Sequence, residues 1–366
     1  MMSVLVRETS DVAVTTAPGI VRRAVDGQRT TPPQRGRFVL GRWGGIVLMT
    51  LALFAGLEIV TRVVLFPASR DFSRFRTYPR RAETLSQQPG WRIACMGNSL
   101  TQRGLDTNLL AASVGSALQK PAAADWFTAD ASKVNTWHYM ANRYLWQPGR
   151  QPDVLVLPFY ENNLADGNRL ELGRFAQFFV TFQDWPEVFQ HDVTTNGERF
   201  EFVVSSFWAT YAARARIQER ALSAVVPEYQ DFTSWVHSPV EPAAPAQSPA
   251  AAAPVSGAPV QTHATLKRLL DRAQANGTHV VLVAFPTLVS GKIGSGPPYE
   301  IEADARQVIA DAGMDLIDLR QVPALSLDMY ADDIHLNAHG QAVFTQIFAK
   351  VLAERLRNRI PQATRR

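Results

Sequence analysis

Five short apolar runs punctuate the chain after its first quarter, at 92–96, 125–129, 153–159, 279–285 and 314–319. Each is continuous rather than alternating, the pattern of a strand buried on both faces of a parallel sheet. Between them, 105–119, 264–276 and 338–360 carry apolar residues three and four apart. In the last of these Val343, Phe344, Ile347, Phe348, Val351 and Leu352 form one stripe, which predicts a helix. Strands alternating with helices predict a three-layer α/β/α sandwich around a parallel sheet of about five strands. In such sheets ligands bind at the carboxyl ends of the strands.

One further apolar run is different in kind. Residues 44–66 are almost uninterrupted, and as a helix they would extend roughly 35 Å at about 1.5 Å per residue. A hydrocarbon core is about 30 Å thick, so the run predicts a single transmembrane helix. Glu58 and Arg62 interrupt it four residues apart, where they can pair. Each would otherwise cost about 2.5–3.5 kcal/mol at the bilayer centre. No small-residue cleavage site follows, unlike a signal peptide. Arginines flank the run on both sides, so charge alone does not choose its orientation.

The remaining segments divide by composition. Residues 1–42 mix Thr, Pro, Gly and Arg without periodicity and are expected to be a disordered cytoplasmic tail. Residues 67–89 are expected to be a juxtamembrane connector and 90–366 the globular domain. Within that domain, 170–236 is rich in aromatic residues and predicts a helical insertion, either an acyl-binding lid or an enlarged core. Residues 239–262 are Pro/Ala-rich and predict a disordered insertion. The net charge of +4 comes largely from arginines around the apolar run and at the C-terminus, which argues against a nucleic-acid groove. The single cysteine, Cys95, excludes an internal disulfide and a multi-cysteine zinc site.

Candidate chemistry lies at the strand ends. Gly97-Asn98-Ser99 follows the first run, and Asp332-Asp333-Ile334-His335 precedes the last helix. Serine is a poor nucleophile alone; it needs a base, and the base needs an orienting carboxylate. Ser99, His335 and Asp332 supply one of each, with Asp333 as the alternative acid. Asn162 and Asn163 follow the third run. His335 and His339 are spaced like a metal pair but have no third ligand at useful spacing, and no phosphate-cradling loop appears. Neither metal nor cofactor is expected.

Together these motifs resemble the SGNH (GDSL-type) hydrolase superfamily over about 90–163 and 264–358. The resemblance implies a flavodoxin-like sheet, Ser99 as nucleophile, and Asp332 and His335 as its Asp-x-x-His, followed by Asn337-Ala338-His339-Gly340. It implies an oxyanion hole from the Ser99 N–H, the Asn162 side chain and, by analogy, the Ser132 N–H. Two blocks depart from the family pattern. Tyr160 and Asn163 stand where it has glycine and aspartate, and Ala129-Asp130-Ala131-Ser132 contains no glycine.

The one-anchor arrangement is similar to a bacterial branch that moves acyl groups on extracellular polysaccharides. That likeness implies an esterase or O-acyltransferase on the periplasmic or outer face of the inner membrane. Its partners would be an acylated carbohydrate or envelope polymer, membrane lipid, and a multi-span membrane O-acyltransferase. Glu58 and Arg62 are a candidate contact surface for that last partner. A lipid or thioester esterase would use the same triad. The alternative of another class is a non-catalytic scaffold that keeps the fold and binds polymer or partner.

Overall fold

The computed structural model describes residues 36–167, 170–218, 262–288 and 297–359. Of the expected tail 1–42, residues 1–35 lie outside the described residues and 36–42 are helical; 219–236 of the expected helical insertion and 239–261 of the Pro/Ala-rich one also lie outside them. All five apolar runs form strands: β1 (Trp91–Gly97), β2 (Ala122–Thr128), β3 (Val154–Phe159), β4 (His279–Ala284) and β5 (Asp315–Asp318). They make one parallel sheet in the order β2-β1-β3-β4-β5. The three-layer architecture and the strand count are as the pattern predicted. β2 begins three residues before its apolar run, at three alanines whose weak strand preference hides them.

The helices, in chain order, begin with α1 (Gly36–Val60) and α2 (Arg70–Ser86). After β1 come α3 (Ser99–Gly104) and α4 (Thr107–Leu118), and after β2 comes α5 (Val134–Met140). The insertion supplies α6 (Leu172–Phe178), α7 (Trp185–His191), α8 (Asn196–Phe207) and α9 (Ala209–Ala212). The rest are α10 (Ala264–Ala275), α11 (Ala303–Asp311) and α12 (Ala338–Arg359).

Both faces of the sheet are covered, which is why its strands are apolar throughout. Ala94, Met96, Leu155, Leu157, Val280 and Leu282 point to one side, where α2, α5, α10 and the insertion pack. Ile93, Cys95, Val154, Val156, Val281 and Val283 point to the other, against Leu110 and Val114 of α4 and Phe344, Phe348 and Leu352 of α12. Full burial of a Phe such as Phe344 contributes about 1.5–3 kcal/mol, so the α12 stripe is a major tie across that face. In the insertion Phe175, Phe179 and Phe202 enter the core, whereas Phe182, Phe200 and Phe207 remain exposed.

The stretch expected to be a connector carries α2, and α2 is part of the core. Phe72, Phe75, Tyr78, Ala82 and Leu85 recur at three and four residues and are buried. The Tyr78 hydroxyl donates to the Thr128 carbonyl and accepts from the Thr128 N–H at 2.8 Å. β2 is an edge strand, and such edges carry unpaired backbone groups that need a cover. Arg81 adds an ion pair to Asp125 on the same strand.

The helix Trp43–Ala68 is long and apolar enough to cross a membrane, and most of its side chains are exposed. Glu58 and Arg62 pair at 2.6 Å. Both also bond within the chain: Glu58 accepts from the Ala209 and Thr210 N–H groups, and Arg62 donates to the Phe207 carbonyl.

Candidate active site

Strand order reverses between β1 and β3, the switch point at which the ends of two neighbouring strands diverge and leave a crevice. Ser99 leaves β1 on one side of it, and Asn162 leaves β3 on the other. The turn into α3 needs a glycine at 97, because a Cβ there would lie 2.1 Å from the Thr101 hydroxyl. Asn98 caps α3 by accepting from the Leu100 N–H at 3.0 Å. Its amide donates to the Ser132 carbonyl at 3.2 Å and to Asn163 Oδ1 at 3.3 Å. One buried asparagine thereby joins the three loops that follow β1, β2 and β3.

His335 arrives from the loop before α12. Asn337 caps that helix, its Oδ1 accepting from the His339 and Gly340 N–H groups at 3.0 and 3.1 Å. Gly340 is needed there because a Cβ would lie 2.3 Å from the Met329 carbonyl oxygen. The loop thus fixed places His335 Nε2 2.8 Å from Ser99 Oγ. His335 Nδ1 lies 2.8 and 2.9 Å from the two carboxylate oxygens of Asp332. Asp332, rather than Asp333, is the acid against the ring.

An ionised carboxylate only accepts, so Nδ1 carries the proton and Nε2 keeps its lone pair for the Ser99 hydroxyl. Asp332 Oδ1 also accepts from the Ile334 and His335 N–H groups at 3.0 and 2.8 Å. Burial pushes this carboxyl up, but the bonds from the His335 ring and the two amides outweigh it and hold it below the usual carboxylate range. The Arg103 guanidinium stands 3.9 Å away, an exposed contact worth little.

The expected oxyanion donors are placed less uniformly. The Ser99 N–H lies in the first turn of α3, where helix amides have no partner inside the helix. Asn162 is exposed beside it in chain order with Asn163 buried. Asn163 Oδ1 accepts from the Tyr160 N–H and from Asn98, so it ties the loop together. Asn162 Oδ1 accepts from Lys133 Nζ at 2.8 Å. An ammonium can only donate, which fixes the amide orientation and makes the NH₂ its opposite end. Ser132 is buried; its N–H donates to the Ala129 carbonyl at 3.1 Å, and its hydroxyl accepts from Trp137 at 2.8 Å. In this geometry the Ser132 amide closes a turn with Ala129.

A cleft of about 820 Å³ opens at Ser99, lined mainly by polar side chains together with Trp126 and Leu336. Arg74 of α2 reaches it and is bound there by Gln102 at 2.5 Å, Asp71 at 3.0 Å and Asp130 at 3.2 Å. Sequence reasoning missed Arg74 by treating its segment as a connector; the one signal was the spacing of Phe72, Phe75 and Tyr78, diluted by the arginines and Pro79 around them. Cys95 points into the core, and burial and then the Asp125 charge push its thiol up, so it is no competing nucleophile. Among the described residues no three His, Cys, Asp or Glu are grouped to hold a metal.

No family model and no curated protein matches this sequence. Among solved structures, a lipase/acylhydrolase from Enterococcus faecalis is similar at TM-score 0.35 and 12% identity, over 72% of this chain and 95% of that one. A protein assigned as an arylesterase from Agrobacterium tumefaciens strain C58 is similar at TM-score 0.28 and 12% identity, over 72% and 98%. What the site can do therefore rests on its own side chains.

Proposed function

We propose that this chain is a serine-dependent esterase or O-acyltransferase, held at a membrane by its apolar helix and working through an acyl-serine. The observation that carries this reading is the unbroken relay from Ser99 Oγ to His335 Nε2 and from His335 Nδ1 to Asp332. In the first step Ser99 Oγ attacks an ester carbonyl while His335 takes the hydroxyl proton. Asp332 holds the ring and stabilises the imidazolium. The tetrahedral oxyanion would be met by the Ser99 N–H and the Asn162 NH₂. Its collapse expels the alcohol, to which His335 returns the proton. Water or a sugar hydroxyl then takes the acyl group by the reverse sequence, which gives hydrolysis or transfer from one set of residues.

The wide polar cleft with an indole in its wall favours a hydroxyl-rich acyl carrier, such as an envelope or extracellular polysaccharide. The orientation we favour places the cleft on the periplasmic side of a bacterial inner membrane, beside a multi-span acyltransferase that would supply the acyl group. A scaffold reading is favoured by one feature, the Ser132 amide committed to its own turn.

Fluorophosphonate labelling of the full chain in detergent separates these readings, with p-nitrophenyl acetate turnover beside it. A fragment beginning near residue 85 would lose α2 and with it the cover of β2. Labelling is expected in the wild type and absent from Ser99→Ala and His335→Ala. A folded wild type that takes no label would overturn the catalytic reading.

A further inference from the structure

Residues Phe54–Arg366 form one compact unit, so the last turns of the apolar helix belong to the domain. Phe54, Glu58, Thr61 and Arg62 lie at spacings of four, three and one, on one face. That face meets the junction of α8 and α9. The Phe54 ring stands edge-on to Trp208, centroids 5.2 Å apart. Glu58 accepts from the Ala209 and Thr210 N–H groups at 2.9 Å each, and from the Thr210 hydroxyl at 3.1 Å. The Thr61 and Thr210 hydroxyls are 2.9 Å apart, and Arg62 donates to the Phe207 carbonyl at 3.2 Å. The charge pair that a lone span would find costly is here the latch between helix and insertion.

The outer side of this latch is apolar. Phe182 is 69% exposed and Phe207 is 61% exposed. Their rings are 5.9 Å apart, with Trp185 at 5.1 Å from the first and 6.1 Å from the second. The helix beside them exposes Ile59, Val63 and Val64. A cluster of this kind on a soluble face marks a contact. Its depth identifies the contact. The 26 residues of Trp43–Ala68 span about 39 Å as a helix, against a hydrocarbon core of about 30 Å. Arg62 lies near the C-terminal end of this stretch, where its side chain can reach lipid headgroups. Phe207, held to Arg62, is then at the interface, and Trp208 beside Phe54 lies below it. The Trp185 indole suits that depth, and the Phe182 and Phe207 rings supply apolar area to the acyl boundary.

We propose that the aromatic edge formed by Phe182, Trp185 and Phe207 is seated in the lipid interface, so that the domain rests on the bilayer instead of swinging from a tether. This rests on reading Trp43–Ala68 as a membrane span. The occupant is lipid because the Glu58 and Arg62 bonds join this edge to a helix whose Ile59, Val63 and Val64 side chains are exposed.

The test uses the full chain in phosphatidylcholine–phosphatidylglycerol vesicles with one environment-sensitive label at a time. The labels sit on cysteines introduced by Met49→Cys, Phe182→Cys, Phe207→Cys and Gln307→Cys, all at exposed positions. Cys95 is fully buried and stays unlabelled. Lipids carrying a nitroxide on the acyl chain are expected to quench labels at 49, 182 and 207 and to leave the label at 307 bright. Quenching at 49 with positions 182 and 207 as bright as 307 would overturn the seating while leaving the span intact. A bright label at 49 would overturn the span itself, and the proposal with it.

Discussion

On one side of the Ser99 hydroxyl stands a chain of side-chain hydrogen bonds, through His335 to Asp332. On the other stand backbone turns and one amide held by Lys133. The first side is specified by residue type at two loops. The second is specified by backbone conformation. Ala131 and Glu161, in the loops after β2 and β3, have φ of +55° and +44°, the left-handed region that glycine adopts most easily. An L-residue there costs about 1–2 kcal/mol. The turns are thus kept without the residue that makes them easy. The Ser99–His335–Asp332 relay is formed without strain in its own loops, while the facing loops after β2 and β3 carry it.

The largest effects should come from breaking the relay. Ser99→Ala and His335→Ala should each lower ester turnover by about 10⁵–10⁶-fold, and the double variant should lose little more, since the residues act as a unit. Additive losses would show that the hydroxyl and the ring act separately. Asp332→Asn should cost about 10⁴-fold in kcat, because the ring would then lose its fixed tautomer.

Asn162→Ala probes the opposite side. It should lower kcat by about 10²–10³-fold with KM little changed, the signature of a donor used only in the transition state. An effect confined to KM would move Asn162 from oxyanion to ground-state binding.

The two sides should also differ in acid. The Asp332 carboxyl is depressed in the folded chain, chiefly because bonds from His335 and two amides outweigh burial. Its contribution to stability is therefore fully present above the ordinary carboxylate range and lost as pH falls through the depressed value. Denaturation of wild type and Asp332→Asn should accordingly converge in acid, whereas the gap between wild type and Asn162→Ala should show no such convergence. The smallest effect is a gain. Ala131→Gly should stabilise the fold by about 1 kcal/mol, relief of strain outweighing the added chain entropy, as a rise in melting temperature. A fall would mean that the turn is not strained as its φ implies.

The five strands were legible because burial on both faces leaves an uninterrupted apolar run, a signal that survives without an alignment. The helix 70–86 was not, because five arginines and Pro79 masked the spacing of Phe72, Phe75, Tyr78, Ala82 and Leu85. Its place beside β2 depends on an edge strand that only the assembled sheet defines. Ser99, His335 and Asp332 could be singled out because their chemistry is carried by side chains at fixed sequence spacing. The engagement of the Ser132 amide, and the αL turns at Ala131 and Glu161, depend on φ and ψ that alanine and glutamate do not announce. Lys133 against Asn162 was invisible for a related reason, since the two residues meet only where the loops after β2 and β3 converge.

Ser99 and His335 are 236 residues apart. At about 5–20 residues per second, roughly 10–50 s of translation separate the nucleophile from its base. Through that interval the emerging chain carries a serine without a general base, and a serine so placed attacks almost nothing. In the proposed reaction, chemical competence therefore appears only once the chain has been made past His335 and the loops bearing Ser99 and His335 have met. A product terminated before His335 would be inert in that reaction, a safeguard that comes from the order of the parts along the chain.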